Sequence, residues 1–216
     1  MKIIHLSDSH SSPIKCNIEK IEGNLLIHSG DIGGRGTIVD VEKAVKDLAL
    51  FKEDFDEIIL IPGNHDWAFE RSWDVMVQVC KDADIILLND SGFEFNGIKI
   101  WGSPITPWFR NWAFNRYRGQ EIKKHWDMIP LDTQILITHG PPYEILDVVN
   151  RGGSVGCQDL SDKIKELKDL KLHLFGHIHE SAGQTKIDGV TYSNGCLLDE
   201  YYDFTKQPNI FEWDKL

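Results

Sequence analysis

Five short apolar runs constrain the fold more than any other feature of this chain: Lys2-Ile3-Ile4-His5-Leu6, Asn24-Leu25-Leu26-Ile27-His28, Glu57-Ile58-Ile59-Leu60-Ile61, Thr133-Gln134-Ile135-Leu136-Ile137 and Lys171-Leu172-His173-Leu174-Phe175. Their length and their continuous apolar character read as buried strands. Each run also stops, within a few residues, at Asp, Asn or His. The loops are Ser7-Asp8-Ser9-His10, Ser29-Gly30-Asp31, Pro62-Gly63-Asn64-His65-Asp66, Thr138-His139-Gly140 and Gly176-His177-Ile178-His179. In α/β folds the crevice at the carboxyl ends of strands is where ligands bind, so five polar loops are expected to point at one site. Any one of them has an ordinary explanation as a turn; the shared placement of all five does not.

The spacing within two of these loops sharpens the expectation. In an extended or sharply turning segment, residues i and i+2 face the same side. His177 and His179 are so spaced, as are Asp8 and His10, so each pair can converge on a small volume of the kind a metal ion needs. Four other histidines lack that placement. His5, His28 and His173 lie inside apolar runs and read as hydrogen-bonded core residues, and His125 reads as an exposed residue on a helix.

Between the strands, Asp40 is expected to cap a helix to about Phe51, with Val41, Ala44, Val45 and Leu48 on one face. Ser72 is expected to cap another to about Lys81. Further helices are predicted near residues 118–128 and 159–167, and a strand over Ile85-Ile86-Leu87-Leu88. Asn96-Gly97 and Asp188-Gly189 sit between strand-like triplets and predict two tight hairpins, with a last strand near Ile210. The Gly33, Gly34 and Gly36 loop reads as a flexible connection. The stretch from Gly102 to Arg116, rich in proline and aromatics, reads as a structured loop.

With 216 residues, 41% hydrophobic, the chain suits one globular domain spanning 1–216. The net charge of -11 disfavours a broad nucleic-acid track, and no apolar run is long enough for a membrane span. The expectation is a soluble, cytoplasmic protein. Cys16, Cys80, Cys157 and Cys196 are scattered without metal-site spacing and read as free thiols.

In order along the chain, Asp8-Ser9-His10, Gly30-Asp31, Gly63-Asn64-His65-Asp66, Thr138-His139-Gly140 and Gly176-His177-Ile178-His179 resemble the five motifs of the calcineurin-like metallophosphoesterase superfamily. The segments around Gly102-Ser103-Pro104, Trp112-Ala113-Phe114-Asn115, Pro141-Pro142 and Val155-Gly156-Cys157 are similar to metallophosphoesterase-domain-containing proteins of the MPPED type, which carry Glu where this chain has Asp66. The resemblance implies an α/β fold, a four-layer α-β-β-α sandwich of two mixed sheets flanked by helices. It implies two divalent metal ions, one held by Asp8, His10, Asp31 and His179 and the other by Asp31, Asn64, His139 and His177. Oxygen and imidazole ligands suit Mn²⁺ foremost, with Fe and Zn²⁺ as alternatives.

The activity so implied is hydrolysis of a small phosphodiester by a hydroxide bridging the metals, with 2′,3′-cyclic nucleotides among the candidate substrates. His65 would serve as general acid, and Asp66 would orient it or favour its protonated form. Asn64, Trp67, Trp108, Phe109 and Arg110 are candidate substrate contacts, the aromatics by stacking on a base. A phosphomonoesterase or protein phosphatase, a nuclease and a non-catalytic scaffold remain as alternatives. The acidic charge weighs against the nuclease, and the complete set of motif residues weighs against the scaffold.

Overall fold

A computed structural model describes residues 1–216. The strands are β1 (Lys2–Leu6), β2 (Gly23–His28), β3 (Phe55–Leu60), β4 (Ile86–Leu87), β5 (Ser91–Phe95), β6 (Ile98–Ser103), β7 (Thr106–Pro107), β8 (Asn115–Arg116), β9 (Ile135–Thr138), β10 (Leu172–Phe175), β11 (Gly183–Ile187), β12 (Val190–Asn194) and β13 (Asn209–Glu212). The helices are α1 (Ile14–Asn17), α2 (Ile38–Ala49), α3 (Trp67–Arg71), α4 (Trp73–Asp82), α5 (Gln120–Trp126) and α6 (Gln158–Ile164).

Two large mixed sheets result. One has the order β13-β1-β2-β3-β4, parallel except for β13, and the other β11-β12-β10-β9-β6-β5, parallel except for its two edge strands. Side chains alternate across each strand, and the core divides accordingly. Ile3, Leu25, Ile27 and Ile59 of the first sheet meet Ile100, Ile135, Ile137, Leu172 and Leu174 of the second. The opposite faces, through Ile4, Leu26, Ile58 and Leu60 or Leu136 and Phe175, pack with helix residues such as Val41, Val45, Leu48, Met76, Ile122, Trp126 and Leu160. Burial on both faces is why these runs are continuously apolar. The four-layer arrangement expected from the resemblance is the one found.

Several local expectations need correction. Asp40 does not cap α2. Thr37 is the N-cap, its hydroxyl accepting from the Asp40 amide at 3.3 Å. The Asp40 carboxylate instead accepts from the Arg35 and Gly36 amides at 2.7 and 3.0 Å and from the Ser11 hydroxyl at 2.6 Å, closing the glycine loop. Ser72 is the N-cap of α4 but its side chain makes no capping bond. The strand expected over 85–88 shrinks to two residues. His125 is half-buried rather than exposed, because its Nδ1 lies 2.7 Å from Asp90 Oδ2. Inside the stretch 102–116, β7 and β8 form a short parallel pair.

His5, His28 and His173 are fully buried as expected. His5 of β1 reaches Ser29 Oγ, just past the end of β2, at 2.9 Å and Ser193 Oγ of β12 in the other sheet at 2.7 Å. His28 bonds Ser9, and His173 bonds Thr138. All four cysteines are free, and only Cys16 is exposed.

Candidate metal centre

The five polar loops follow β1, β2 and β3 of one sheet and β9 and β10 of the other, and they meet where the carboxyl ends of both sheets come together. Backbone bonds tie neighbouring loops within each sheet, the Asp8 amide donating to the Gly30 carbonyl at 3.0 Å and the Gly176 amide to the His139 carbonyl at 2.9 Å, and the Ser7 amide crosses to the Gly195 carbonyl at 2.8 Å. Two glycines allow the closeness. A Cβ on Gly63 would lie 2.2 Å from the Asp31 amide nitrogen, and one on Gly176 would lie 2.0 Å from Asp8 Oδ2. Only a residue without a side chain lets the backbone approach so near.

Two separate clusters form, Asp8, His10 and His179 in one and Asp31, His139 and His177 in the other, and a third group, His10, Asp31 and His65, overlaps both. Asp8 Oδ1 lies 3.4 Å from His179 Nε2 and 3.9 Å from His10 Nε2. Asp31 Oδ2 lies 3.4 Å from His139 Nε2 and 3.8 Å from His10 Nε2, so the Asp31 carboxylate stands between the clusters. Asn64 Oδ1 joins the second cluster, 2.9 Å from His139 Nε2. The seven residues expected from the motifs to be ligands are therefore neighbours.

Partners outside the clusters orient these groups. His139 Nδ1 lies 3.0 Å from the Ser29 carbonyl and His179 Nδ1 2.9 Å from the Asp199 carbonyl, so both rings donate at Nδ1 and turn Nε2 toward the carboxylates. Asp8 Oδ2 accepts from Ser7 Oγ at 2.6 Å, the His177 amide at 2.9 Å and Cys196 Sγ at 3.2 Å. Its other oxygen, Oδ1, is buried without a partner, as are both ring nitrogens of His10. A buried polar atom left unpaired costs about 1–3 kcal/mol, and a cation bound by Asp8 Oδ1 and His10 Nε2 would remove that cost. The donor set thus fits the divalent ions expected.

Protonation in the protein alone follows the same neighbours. Burial acts to lower the His139 and His179 pKa values, but Asp31 beside the first and Asp8, 3.4 Å from the second, outweigh it and raise both to about 9. Burial lowers His177 to about 4. An imidazole must be neutral to ligate a metal, so metal binding would displace protons from His139 and His179.

Four of these residues, Asp8, His10, Asp31 and His177, have positive φ (52°, 44°, 54° and 70°). Such angles are uncommon outside glycine and concentrate at functional sites.

His65 stands at the rim. Its ring stacks on Trp112 (centroids 4.2 Å apart, planes at 25°) and meets His10 edge-on at 4.7 Å. Its amide donates to Asp31 Oδ1 at 2.7 Å. Asp66 does not orient it. The Asp66 carboxylate is fully buried and accepts from the Gly63, Gly33 and Ile32 amides at 2.7, 2.8 and 3.2 Å, clamping the β2 and β3 loops together. Burial, with Asp31 nearby, pushes its pKa up to about 7, while the amides act in the opposite sense.

A cleft of about 730 Å³ opens beside His177, lined in part by Trp108, Phe109, Arg110 and Arg151. Trp108 and Phe109 are 50% and 58% exposed, with Trp108 stacked on Tyr117 and the Arg110 guanidinium 5.3 Å from the Phe109 centroid. Trp67 does not line this cleft: its ring packs against the core and carries the Arg71 guanidinium 4.1 Å from its centroid.

Residues 1–181 match the calcineurin-like phosphoesterase family. This chain belongs to that family. The phosphoesterase is also 31% identical over 235 residues to metallophosphoesterase domain-containing protein 1 of Homo sapiens, and equally to that of Mus musculus, with 98% of this chain and 70% of the relative covered in each case. A crystal structure of TT1561 of Thermus thermophilus superposes with a TM-score of 0.57 over 89% of this chain and 88% of the other, at 11% identity, and shares its fold.

Ser7, in the first of the expected loops, supports Asp8, whereas Cys196, Asp199 and Tyr202 are neighbours of the site that sequence reasoning does not reach, because they come from the segment after β12, which carries no motif.

Proposed function

We propose that the phosphoesterase is a dimetal phosphodiesterase acting on small diesters, with 2′,3′-cyclic nucleotides among its candidate substrates. The carrying observation is the placement of the two candidate ligand clusters, joined by Asp31, beside a cleft with exposed aromatics at His177. Asp8, His10, Asp31 and His179 would hold one ion and Asp31, Asn64, His139 and His177 the other. When bound, the ions would supply Lewis acidity and a nucleophile from water near neutral pH.

The chain's own residues account for the rest. His65, outside both ligand sets and held against Trp112, delivers a proton to the leaving oxygen. The Ser29 and Asp199 carbonyls keep His139 and His179 aimed through Nε2. The charge of the cleft favours a diester over a monoester. A dianionic monoester gains most from a surplus of free cations, but Arg118 is bonded to the Val155 and Gly156 carbonyls, and the two other arginines of the cleft, Arg110 and Arg151, are matched in number by Glu180 and Glu200. A singly charged diester with a flat apolar arm fits that lining better.

Metal-reconstituted protein assayed on a phosphomonoester, a linear diester and a 2′,3′-cyclic nucleotide tests the proposal, with Asp31→Asn as control. Turnover of both diesters above the monoester is expected. Hydrolysis of the monoester alone would overturn the substrate class, and Asp31→Asn activity equal to wild type would overturn the site.

A further inference from the structure

The tyrosine at 202 occupies a backbone conformation that bulky residues avoid, with φ of 66°. Its loop is firmly tied. The Asp199 carboxylate accepts from the Tyr201 and Asp203 amides at 3.0 Å each, the Asp199 amide donates to the Asp203 carbonyl at 2.9 Å, and the Tyr202 amide donates to the Asp199 carbonyl at 2.9 Å. That same carbonyl receives His179 Nδ1. The loop therefore holds a candidate ligand and the tyrosine in one fixed relation.

Held in this way, the Tyr202 ring lies edge-on to His10 (centroids 4.9 Å apart, planes at 78°) and 5.4 Å from the His179 ring. It is still 54% exposed, so one part covers the two imidazoles and the rest faces solvent at the mouth of the site. Tyr202 is not among the residues of the Trp108 cleft, which opens on the His177 side. It also lies beyond residue 181, where the match to the family stops. A strained bulky residue seated on candidate ligands is a reason to look for a role in function.

We propose that Tyr202 is a specificity-determining residue. Its ring walls off the His10 and His179 side, so that the large arm of a diester enters the Trp108 cleft and the other arm must be small. This inference rests on the diester reading.

Two substitutions separate the ring from the backbone. Tyr202→Gly removes the wall and suits a positive φ, so the loop is kept; Tyr202→Phe keeps the wall. Binding of methyl phenyl phosphate and diphenyl phosphate to the metal-loaded protein is measured by calorimetry before turnover, together with metal content. Wild type and Tyr202→Phe should prefer the single-armed diester by about tenfold or more, and Tyr202→Gly should cut that preference about tenfold. An unchanged preference in Tyr202→Gly, at unchanged metal content, would overturn the role, and so would loss of metal from that variant, which would make the ring a support for the ligands. Failure of wild type to bind either diester would remove the diester reading as well, and is distinguishable from both.

Discussion

At the scale of single residues, two neighbours in the chain have separable duties. His65 is at the rim, its ring stacked on Trp112 and only its backbone amide tied to Asp31. His65→Ala is expected to lower kcat by about 10²–10⁴-fold, the usual range for a general acid, with metal content and Tm unchanged. Asp66 accepts three backbone amides in the interior. Asp66→Ala would leave those donors unpaired, for a loss on the order of 3 kcal/mol, or roughly 6–12 °C in Tm for a chain of this size. Calorimetric melting of the two variants beside their steady-state rates checks both outcomes. The motif placed both residues at the site, but a carboxylate next to a histidine in sequence says nothing about which of them it faces. Only the fold of Gly33 and Gly63 around Asp66 decides that.

Elements whose signals are local were legible, and those with competing partners were not. The β5–β6 hairpin turns on Asn96 and Gly97, both at positive φ (50° and 79°), as an Asn-Gly turn requires. Asp188 and Gly189 do the same for β11 and β12. A Cβ at Gly97 would meet nothing within 4 Å, so Gly97→Ala tests conformation without crowding. It should cost about 1 kcal/mol, or roughly 2–4 °C in Tm, with activity intact, and thermal melts measure it. The start of α2 differs from the expectation because Thr37 and Asp40 are both good capping residues, and the Asp40 carboxylate is drawn to the Arg35 and Gly36 amides and Ser11 instead. Trp67 differs from its expectation for a related reason: an aromatic face can stack on a base or pack in the core, and here core packing and Arg71 claim its ring.

For the whole molecule, the joining of two sheets explains what sequence reading reached and what it did not. Five runs with five polar ends sufficed for the site, because strand ends are where such sheets present ligands. The assignment of three runs to one sheet and two to the other depends on pairing across long separations, and the loop carrying Asp199 and Tyr202 returns to the site without any motif. Burial of polar groups at this scale also sets acid sensitivity. His173 is fully buried beside Thr138, and burial lowers its pKa to about 3. Folded, it stays neutral, while in the unfolded chain it takes up a proton below about pH 6.5. Its contribution is thus present in full above that pH and is lost as pH falls toward 3. Between pH 7 and 5 the loss is about 2 kcal/mol. Urea unfolding at both pH values should show wild type losing about that much more stability than His173→Phe, and parallel losses would contradict the assignment.

The positive φ angles at Asp8, His10, Asp31 and His177 bear on how this sequence could drift. Aspartate and histidine adopt such angles more readily than most residues but still at a cost, whereas glycine does so at none. In a saturation library sorted only for soluble, folded protein, glycine should therefore be enriched over histidine at positions 10 and 177. Sorted for turnover, the same library should return histidine. Deep sequencing of the two pools would show a conflict between folding and function at these two positions, one following a strand of each sheet.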